Sequence, residues 1–290
     1  MSWAADITGA AGLEVVRGLR DGGSPWLLRA DGRELVFRVG QEGDLGAFAT
    51  EVAALRLAAG AGVPVPALLA HDDGTAAGVP VVLTERLPGS SQIPPEPDPS
   101  HLQALGAAAA RLHAVRIEPS AELPRRGRPI ETVDFEKMRR VHGVSSLLEE
   151  AEVLITQARP AGGRSVLVHG DLWHGNTMWS DGALTGLIDW DCAGAGAPGV
   201  DLGSLRCDAA SCYGPQAAAH VQQGWEHVAG RAAEEVAYWD AVAALATPPD
   251  MGWFLAAIAG QGRTDLDRTT LLQRRDAFLR QALDVLRAGS

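Results

Sequence analysis

The sequence has little that would suit a membrane, an export pathway or a nucleic acid. None of its apolar runs approaches the roughly eighteen residues of a transmembrane helix. Its first residues, MSWAADITGA, lack the basic and apolar regions of a secretory signal. The net charge of −11 also argues against nucleic acid, whose phosphates need clustered positive charge. We therefore expect a cytoplasmic protein without a membrane or nucleic-acid partner.

Cysteine and lysine are also scarce. The three cysteines, Cys192, Cys207 and Cys212, are odd in number and lack CxxC spacing, which indicates a reducing compartment and argues against structural zinc. Lys137 is the only lysine among 25 basic residues. We therefore expect arginine at positions where related proteins would use lysine.

The first ninety residues predict a small antiparallel sheet that carries one helix. Residues 12–40 read as three short strands, and Asp31-Gly32 between two of them is a strong hairpin signal. Apolar residues recur at helical spacing in 47–60. Two further strands are expected in 66–72 and 78–87.

The rest of the chain is expected to be mostly helical. A proline-rich polar segment, 90–99, predicts a linker or surface loop. Helical patterns follow in 99–116 and roughly 133–159, and the Ala/Leu-rich sequence is helix-like from Val200 onwards. Between them, SVLVHGD predicts a buried strand that enters a loop, and the hairpin predicted next is centred on Asp181-Gly182.

The stretch HGDLWHGN, residues 169–176, is the strongest candidate for chemistry. His169, Asp171 and Asn176 have the spacing of the kinase catalytic loop. A loop that leaves a buried strand can direct one carboxylate at a substrate hydroxyl while a nearby amide oxygen reaches Mg²⁺. Asp189 follows Asn176 by thirteen residues, at the end of the predicted hairpin. We expect the hairpin to bring it back beside the loop.

These segments resemble the aminoglycoside phosphotransferase and choline-kinase-like enzymes, which share the protein-kinase fold. VLVHGDLWHGN, GLIDWD and GVDLG carry the resemblance, and HGDLWxGN also looks like the loop of fructosamine kinases. The resemblance implies that Asp171 is the catalytic base and that Asn176 and Asp189 bind Mg²⁺. It also implies that Asp201 supports the catalytic loop and that His169 orients it without taking part in the chemistry.

The resemblance implies an α+β fold of two lobes, like that of protein kinases. An antiparallel N-terminal lobe, 1–87, would bind nucleotide, and a mostly helical lobe, 88–290, would carry catalysis and acceptor binding. The implied function is transfer of the γ-phosphoryl group of ATP, with Mg²⁺, to a hydroxyl of a small molecule such as an aminoglycoside. A metabolite kinase of the fructosamine or choline kinase type is the alternative, and the oligomeric state stays open.

The nucleotide site is predicted by the same resemblance. Arg38 lies on the same face of its strand as Val36 and would replace the lysine that binds phosphate. Glu51, in the following helix, is its expected partner. The turn over the phosphates is expected at residues 21–24, although no complete GxGxxG occurs there. The remaining predicted contacts are those of Gly22, Gly23, Ser24, Val36, Glu85 and Leu87.

The acceptor is expected between the catalytic loop and the C-terminal helices. Candidate lining residues are Trp225, Trp239, Asp240, Asp250 and Trp253. Carboxylates there could hold the amines of a cationic acceptor, and tryptophans could stack on a sugar. A helix surface and core packing are the ordinary explanations for the same residues.

A metal hydrolase is the first alternative interpretation. His169, Asp171 and His174 could be zinc ligands of the pattern H-x-D-x-x-H. Further ligands are needed, and His220 and His227 lie instead at helical spacing. We therefore interpret His174 as a loop residue.

Two further alternatives concern nucleotide binding without kinase chemistry. The glycines of residues 194–199 satisfy GxGxxG, the pattern of a dinucleotide-binding fold. That fold needs a βαβ unit, but here the preceding strand belongs to a hairpin and no parallel strand is expected after it. We interpret this segment as a flexible loop. A kinase-fold binding protein without activity is favoured only by Arg38 in place of lysine and by the incomplete glycine loop.

Overall fold

The fold is that of a computed structural model. It describes residues 2–10, 12–20, 23–143, 145–160 and 162–289. Among these residues, no helix combines the length and the apolar character needed to cross a bilayer.

The N-terminal part is an antiparallel sheet with one packed helix. Its elements are α1 (Ser2–Thr8), β1 (Leu13–Arg20), β2 (Gly23–Ala30), β3 (Arg33–Val39), α2 (Leu45–Gly60), β4 (Leu68–Asp73) and β5 (Pro80–Glu85). The strand order is β1-β2-β3-β5-β4, with every neighbouring pair antiparallel. The β2–β3 hairpin turns at Asp31 and Gly32, whose φ angles of 49° and 79° suit a two-residue turn. The predicted strands and helix are confirmed.

Helix α2 packs on the sheet and also reaches the C-terminal core. Phe48 and Val52 contact Val82 of β5, while Leu55 and Ala58 belong to the largest apolar cluster of the protein. That cluster is built mainly from residues after 100. The helix therefore fixes the sheet against the C-terminal part through buried apolar surface.

The C-terminal part consists mainly of helices in the described residues, with five short strands among them. The helices are α3 (Pro99–Leu112), α4 (Phe135–His142), α5 (Ser146–Gln157), α6 (Gly199–Tyr213), α7 (Ala218–Ala229), α8 (Val236–Leu245), α9 (Gly252–Gly260) and α10 (Arg268–Ala288). The strands are β6 (Arg125–Arg126), β7 (Val166–Val168), β8 (Thr177–Ser180), β9 (Ala183–Leu187) and β10 (Gly194–Gly196). A single 3₁₀ turn, His174–Asn176, lies in the loop that follows β7, and another, Pro215–Ala217, leads directly into α7.

Two expectations for this part need revision in detail. The helix predicted over 133–159 is divided, because α4 ends where Gly143 takes a φ of 85°. The predicted hairpin is present as β8 and β9, but its second strand ends at Leu187, before Asp189. The division into lobes at 1–87 and 88–290 stays a prediction.

The glycines at 194–199 are not in a flexible loop, and that interpretation was wrong. Residues 194–196 form the buried strand β10, which pairs with both β6 and β7. A Cβ on Gly194 would lie 2.2 Å from the main-chain oxygen of Pro124, and one on Gly199 would lie 2.1 Å from the indole of Trp239. Glycine is used here for close packing, which sequence spacing alone does not distinguish from flexibility.

Helices α3 and α7 cross at two glycines. A Cβ on Gly106 would lie 1.9 Å from the main-chain oxygen of Val221, and one on Gly224 would lie 1.9 Å from that of Gln103. The two helix backbones are therefore in direct contact, and the crossing has no room for a methyl group.

Replacing Gly106 with alanine is expected to destabilise the protein by about 1–3 kcal/mol, because the two helices must move apart. The matched control is Gly46→Ala in α2. A Cβ on Gly46 would have no neighbouring side chain or other element of the described residues within 4 Å, and the φ of Gly46 is not in the left-handed region. That change should be neutral or stabilising by up to about 1 kcal/mol. Urea unfolding measures both variants, and equal effects would contradict the tight crossing.

Candidate active site

The chain leaves β7 through a turn that requires glycine. Gly170 has a φ of 79°, and a Cβ there would lie 2.0 Å from the main-chain oxygen of Cys192. Both the left-handed backbone and the close approach exclude a larger residue. The turn leaves His169 buried and brings Asp171 to the wall of a cavity.

Asp201 of α6 fixes the start of this loop. Its fully buried carboxylate accepts hydrogen bonds from the main-chain N–H groups of His169 (2.7 Å) and Gly170 (2.8 Å) and from Nε2 of His113 (3.1 Å). Nε1 of Trp225 donates to Nδ1 of His113 (2.9 Å), which leaves Nε2 as the protonated ring nitrogen. Although burial opposes ionisation, the hydrogen bonds from His113 and from the main-chain N–H of His169 help to hold the pKa of Asp201 below its ordinary value.

His169 uses both ring nitrogens within the protein. Nε2 lies 2.9 Å from the main-chain oxygen of Ile188, to which it donates, and Nδ1 accepts from the N–H of Asp171 (3.4 Å). The ring packs against Trp190, with centroids 4.5 Å apart. His169 thus connects the catalytic loop to the segment that carries Asp189, and these contacts leave no ring nitrogen for the zinc site considered as an alternative.

Asn176 holds Asp171 in one orientation. Its Nδ2 donates to the main-chain oxygen (2.8 Å) and to Oδ2 (3.1 Å) of Asp171. Burial raises the pKa of Asp171 to about 8, and the negative charges of Asp189 and Asp191 contribute to the rise. A carboxylate with this pKa is a stronger base than an exposed aspartate, which suits proton transfer near neutral pH.

Asp189 combines an unusual backbone with two positive partners. Its φ is 67°, a conformation that is uncommon outside glycine and is concentrated at functional sites. Its carboxylate accepts from the guanidinium of Arg20 and from Nη1 of Arg38, the latter at 3.2 Å. Although burial opposes ionisation, these two charges hold the pKa of Asp189 below its ordinary value.

The donor atoms fit a magnesium ion. Mg²⁺ prefers carboxylate and amide oxygens, and Asp189 offers an ionised carboxylate. Because Nδ2 of Asn176 is used by Asp171, its Oδ1 faces away from that bond and accepts no hydrogen bond within the described parts of the chain. Asn176 and Asp189 both line the cavity that contains Asp171.

Arg38 lies at the centre of a cluster of carboxylates. Nη1 donates to Glu51 (3.1 Å), and Nη2 donates to Asp191 (2.6 Å). Burial alone would lower the pKa of Arg38, but the charges of Glu51, Asp189 and Asp191 raise it, so the guanidinium stays ionised. Burial raises the pKa of Glu51 to about 7 even though Arg38 opposes the rise. The predicted pair of Arg38 and Glu51 is present in the structure.

Three of the residues predicted to contact the nucleotide, Gly23, Ser24 and Val36, lie on the neighbouring strands β2 and β3. Val36 is in the middle of β3, and Gly23 is the first residue of β2. The hydroxyl of Ser24 bonds the main-chain N–H (2.9 Å) and oxygen (3.0 Å) of Val39 and is thereby engaged with β3. Gly22 lies outside the described residues.

The predicted adenine contacts lie where β5 ends. The main-chain N–H of Glu85 donates to the oxygen of Ala67 (2.9 Å), and its carboxylate accepts from Arg33 (2.5 Å). Leu87 packs against Gly186, where a Cβ would lie 2.6 Å from Cδ1 of the leucine. The N–H of Glu85 is thus already used within the sheet, and contact of Glu85 and Leu87 with adenine stays a prediction.

The structure places the candidate acceptor residues Trp239, Asp240 and Asp250 away from the cavity wall. Asp240 is buried and forms two hydrogen bonds with Arg206, at 2.8 and 2.7 Å. Trp239 packs against glycines of α6 instead of facing the cavity. Asp250 is bonded by Arg268 at 2.5 Å. Neither Asp240 nor Asp250 belongs to the cavity wall, because each carboxylate is held by an arginine elsewhere.

The cavity beside Asp171 has a volume of about 180 Å³. It lies between the catalytic loop and helices α6, α8 and α9, as predicted for an acceptor. Its wall consists of Arg20, Pro129, Ile130, Asp171, Trp173, Asn176, Asp189, Ser204, Cys207, Asp208, Ser211, Ala243, Ala246, Thr247, Trp253, Phe254, Ala257 and Ile258. Of the tryptophans expected here, Trp253 is present, whereas Trp225 is buried beside His113.

Three charged residues of the site were missed from the sequence. Asp191 had a signal, since it follows Asp189 by two residues in GLIDWD. Arg20 pairs with Asp189 across 169 positions of the chain, and Asp208 pairs with His174 across 34. Such pairs depend on the tertiary fold, and no local pattern marks them.

Comparison with known proteins agrees with this geometry. A family model described as the phosphotransferase enzyme family matches residues 15–245. The search of curated proteins gives no match. The resemblance of HGDLWHGN to the fructosamine kinase loop is not tested by these findings.

Solved structures share the fold over nearly the whole chain. A protein of Ralstonia eutropha JMP134, provisionally described as an aminoglycoside phosphotransferase, has a TM-score of 0.65 and 15% identity, with 99% of this chain and 97% of that one covered. Macrolide 2'-phosphotransferase MphH of Brachybacterium faecium has a TM-score of 0.62 and 20% identity, with 96% and 97% covered. A thermostable mutant of aminoglycoside phosphotransferase APH(4)-Ia, in a ternary complex with ADP and hygromycin B, has a TM-score of 0.58 and 17% identity, with 96% and 97% covered.

At these identities the solved structures establish the fold, and the two-lobed protein-kinase-like architecture predicted from the sequence is confirmed. The family model covers most of the chain, including the catalytic loop and the segments around Asp189 and Asp201. The protein belongs to the phosphotransferase enzyme family.

Proposed function

We propose that this protein transfers the γ-phosphoryl group of ATP, with Mg²⁺, to a hydroxyl group of a small molecule. The observation that carries the proposal is the convergence of Asp171, Asn176 and Asp189, from two separate segments, on one cavity. Similar structures support nucleotide binding, since one of them is a complex with ADP and hygromycin B. Names such as macrolide 2'-phosphotransferase among the similar proteins support a small-molecule acceptor.

In the proposed reaction, the acceptor oxygen forms a bond to the γ-phosphorus while the bond from that phosphorus to the β–γ bridging oxygen breaks, which releases ADP. Asp171 accepts the proton of the acceptor hydroxyl. Asn176 keeps the Asp171 carboxylate in position through Nδ2. His169 and Asp201 act as positioning residues, because their hydrogen bonds fix the loop on which Asp171 lies.

Asp189 and Asn176 would hold Mg²⁺, which would offset the negative charge of the nucleotide phosphates when bound. Arg20 and Arg38 are paired with Asp189 in this structure. We expect phosphate oxygens to take over one or both arginines, since guanidinium pairs well with phosphate. Arg38 would then serve the role predicted for it from the near-absence of lysine.

Replacing Arg38 with methionine is expected to raise the KM for ATP by roughly ten-fold or more, through loss of a charged hydrogen bond. It should also destabilise the protein by about 3–5 kcal/mol, because Glu51, Asp189 and Asp191 lose a buried cation. Arg38→Lys should have intermediate effects, since ammonium keeps the charge without the planar fork. Steady-state kinetics and urea unfolding measure the two quantities.

The matched control is Arg29→Met on β2. Arg29 is 46% exposed and pairs with the exposed Glu14, so its removal should change stability by less than about 1 kcal/mol. An unchanged KM for ATP in Arg38→Met would contradict the assignment of Arg38 to the nucleotide.

A thermal-shift experiment tests the proposed nucleotide and metal directly. ATP with Mg²⁺ should raise the Tm of the wild type, and EDTA added to ATP should reduce that rise. Asp189→Asn should weaken the dependence on Mg²⁺. Stabilisation by NADH alone, or loss of stability on adding a zinc chelator, would contradict the proposal and favour an oxidoreductase or a hydrolase respectively.

A further inference from the structure

We propose that the acceptor is a neutral hydroxyl compound that carries an apolar, ring-sized group, and not a polycationic amino sugar. This inference rests on the proposed function, because it assigns the acceptor class of the same site. It departs from the expectation of a cationic acceptor that the acidic net charge suggests. It is supported by the apolar cavity wall, by the engagement of the wall carboxylates with other groups, and by the exposed apolar surface of α9.

Apolar side chains make up more than half of the cavity wall. Ten of the eighteen wall residues are apolar, and they come from the segment before α4, the catalytic loop, and helices α6, α8 and α9. The cavity volume of about 180 Å³ is similar to that of the roughly 150 Å³ apolar cavity that takes up benzene in another protein. It therefore has room for one ring-sized apolar group.

Among the described residues, the wall has no carboxylate left for an ammonium group. Asp171 is reserved for the acceptor hydroxyl, and Asp189, which pairs with two arginines here, would hold Mg²⁺ in the proposed reaction. Asp208 is the other acidic residue of the wall. Its Oδ2 accepts from the main-chain N–H of His174 (3.1 Å) and lies 2.5 Å from Nδ1 of the same residue, and only 8% of its side chain is exposed.

This arrangement would make a polycation costly to bind. An ammonium group that leaves water without a counter-ion loses its hydration and gains nothing comparable in return. The net negative charge of the protein therefore does not supply a counter-ion for an ammonium group at the cavity wall.

Helix α9 presents apolar surface that the rest of the described chain does not cover. Its sequence, GWFLAAIAG, has no charged or polar side chain, yet Ile258 is its only buried residue among those described. A helix that is apolar on every side is ordinarily buried on every side. The catalytic residues border the same cavity, so the substrate of the reaction is the occupant that would cover this surface.

Trp253 of α9 is already held in position for an apolar partner. Its ring stacks on Phe135, with centroids 6.2 Å apart, and meets Phe254 edge to face at 4.5 Å. It is nevertheless 42% exposed. A fixed, exposed indole at a cavity wall offers contact area with little loss of side-chain entropy on binding.

The test compares two classes of acceptor with the intact protein and Mg·ATP. The neutral probes are aryl and alicyclic alcohols, beginning with 2-phenylethanol, and the cationic probe is hygromycin B. We expect the wild type to phosphorylate at least one neutral probe with a kcat/KM at least ten-fold above that for hygromycin B. Phosphorylation of hygromycin B with an equal or higher kcat/KM would overturn the acceptor class while leaving the proposed function intact.

Variants of Trp253 separate a direct role from a structural one. Trp253→Ala should raise the KM for the neutral acceptor at least five-fold and leave the KM for ATP unchanged. Trp253→Glu adds a carboxylate at the wall and should move the preference towards hygromycin B. The matched controls are Val153→Ala and Val153→Glu, at a 56% exposed position of α5 outside the cavity wall. Neither control should change the acceptor KM or the preference between the two classes of acceptor.

Three outcomes would count against the proposal in different ways. Equal acceptor KM values for Trp253→Ala, Trp253→Glu and the wild type would overturn the role of this wall in acceptor binding. If Mg·ATP binds but neither class of acceptor is phosphorylated, the proposed function fails together with the acceptor class. Transfer to hygromycin B alone overturns only the acceptor class, so the two failures are distinguishable.

Discussion

Replacement of Asp171 by asparagine is expected to slow phosphoryl transfer by roughly 10²–10⁴-fold, the range that general-base catalysis contributes. The amide cannot take the proton of the acceptor hydroxyl, although its oxygen can still accept from Nδ2 of Asn176. The affinity for ATP should stay within a few-fold of the wild type. Single-turnover kinetics and ATP titration measure the two effects separately.

The control for this variant is Asp181→Asn in the turn between β8 and β9. Asp181 is exposed, and its φ of 51° is one that asparagine tolerates well. The same chemical change should therefore leave turnover unaltered. Wild-type turnover in Asp171→Asn would contradict the assignment of the base.

Asp171→Asn should also change how the stability of the metal-free protein depends on pH. Burial raises the pKa of Asp171 to about 8, above the value of 3.8 that applies when the chain is unfolded. A carboxyl with a raised folded pKa stabilises the fold most below pH 3.8 and loses that contribution as the pH rises to 8. Asp171→Asn should thus gain stability relative to the wild type between about pH 4 and pH 8, by up to a few kcal/mol. A difference independent of pH would contradict the buried-carboxylate account.

Loss of the Asp201 carboxylate is expected to have a large effect on stability. Asp201→Ala leaves three buried donors, the N–H groups of His169 and Gly170 and Nε2 of His113, without an acceptor. We expect a loss of about 3–5 kcal/mol in the free energy of unfolding. Urea unfolding measures it, and Asp284→Ala, at an exposed ion pair on α10, should cost less than about 1 kcal/mol.

Asp201→Asn keeps one acceptor oxygen and is the variant to use if the alanine protein does not fold. Its turnover per folded molecule should fall, because the loop that carries Asp171 is less firmly held. A folded Asp201→Asn protein with wild-type turnover and stability would contradict the role of Asp201 as the support of this loop.

The catalytic loop was predictable because its residues are close in sequence. His169, Asp171 and Asn176 lie on one loop, and the hairpin of β8 and β9 returns the chain to them with Asp189. Arg38 and Glu51 were predictable for a related reason, since a strand and the next helix are adjacent in space. In both cases, a local sequence pattern and one contact between neighbouring elements are enough to predict which residues meet.

The acceptor wall was not predictable in the same way. Asp240 and Trp239 are on a helix that the sequence marks clearly, but nothing local shows that Asp240 pairs with Arg206 of α6. Acidic and aromatic residues at a predicted site look the same whether they face a cavity or a neighbouring helix. The glycines at 194–199 illustrate the same limit, because close packing and flexibility both require glycine.

In the proposed reaction, the γ-phosphoryl group of ATP passes to an acceptor hydroxyl whose proton Asp171 accepts. Phosphorus NMR of the protein with ATP, Mg²⁺ and the acceptor panel follows that group most directly. The wild type should convert the γ-phosphate signal into a phosphomonoester with equimolar ADP, and Asp171→Asn or EDTA should prevent it. Release of inorganic phosphate alone would contradict transfer to an acceptor. Phosphomonoester formation by Asp171→Asn at the wild-type rate would contradict the role of Asp171 as the base.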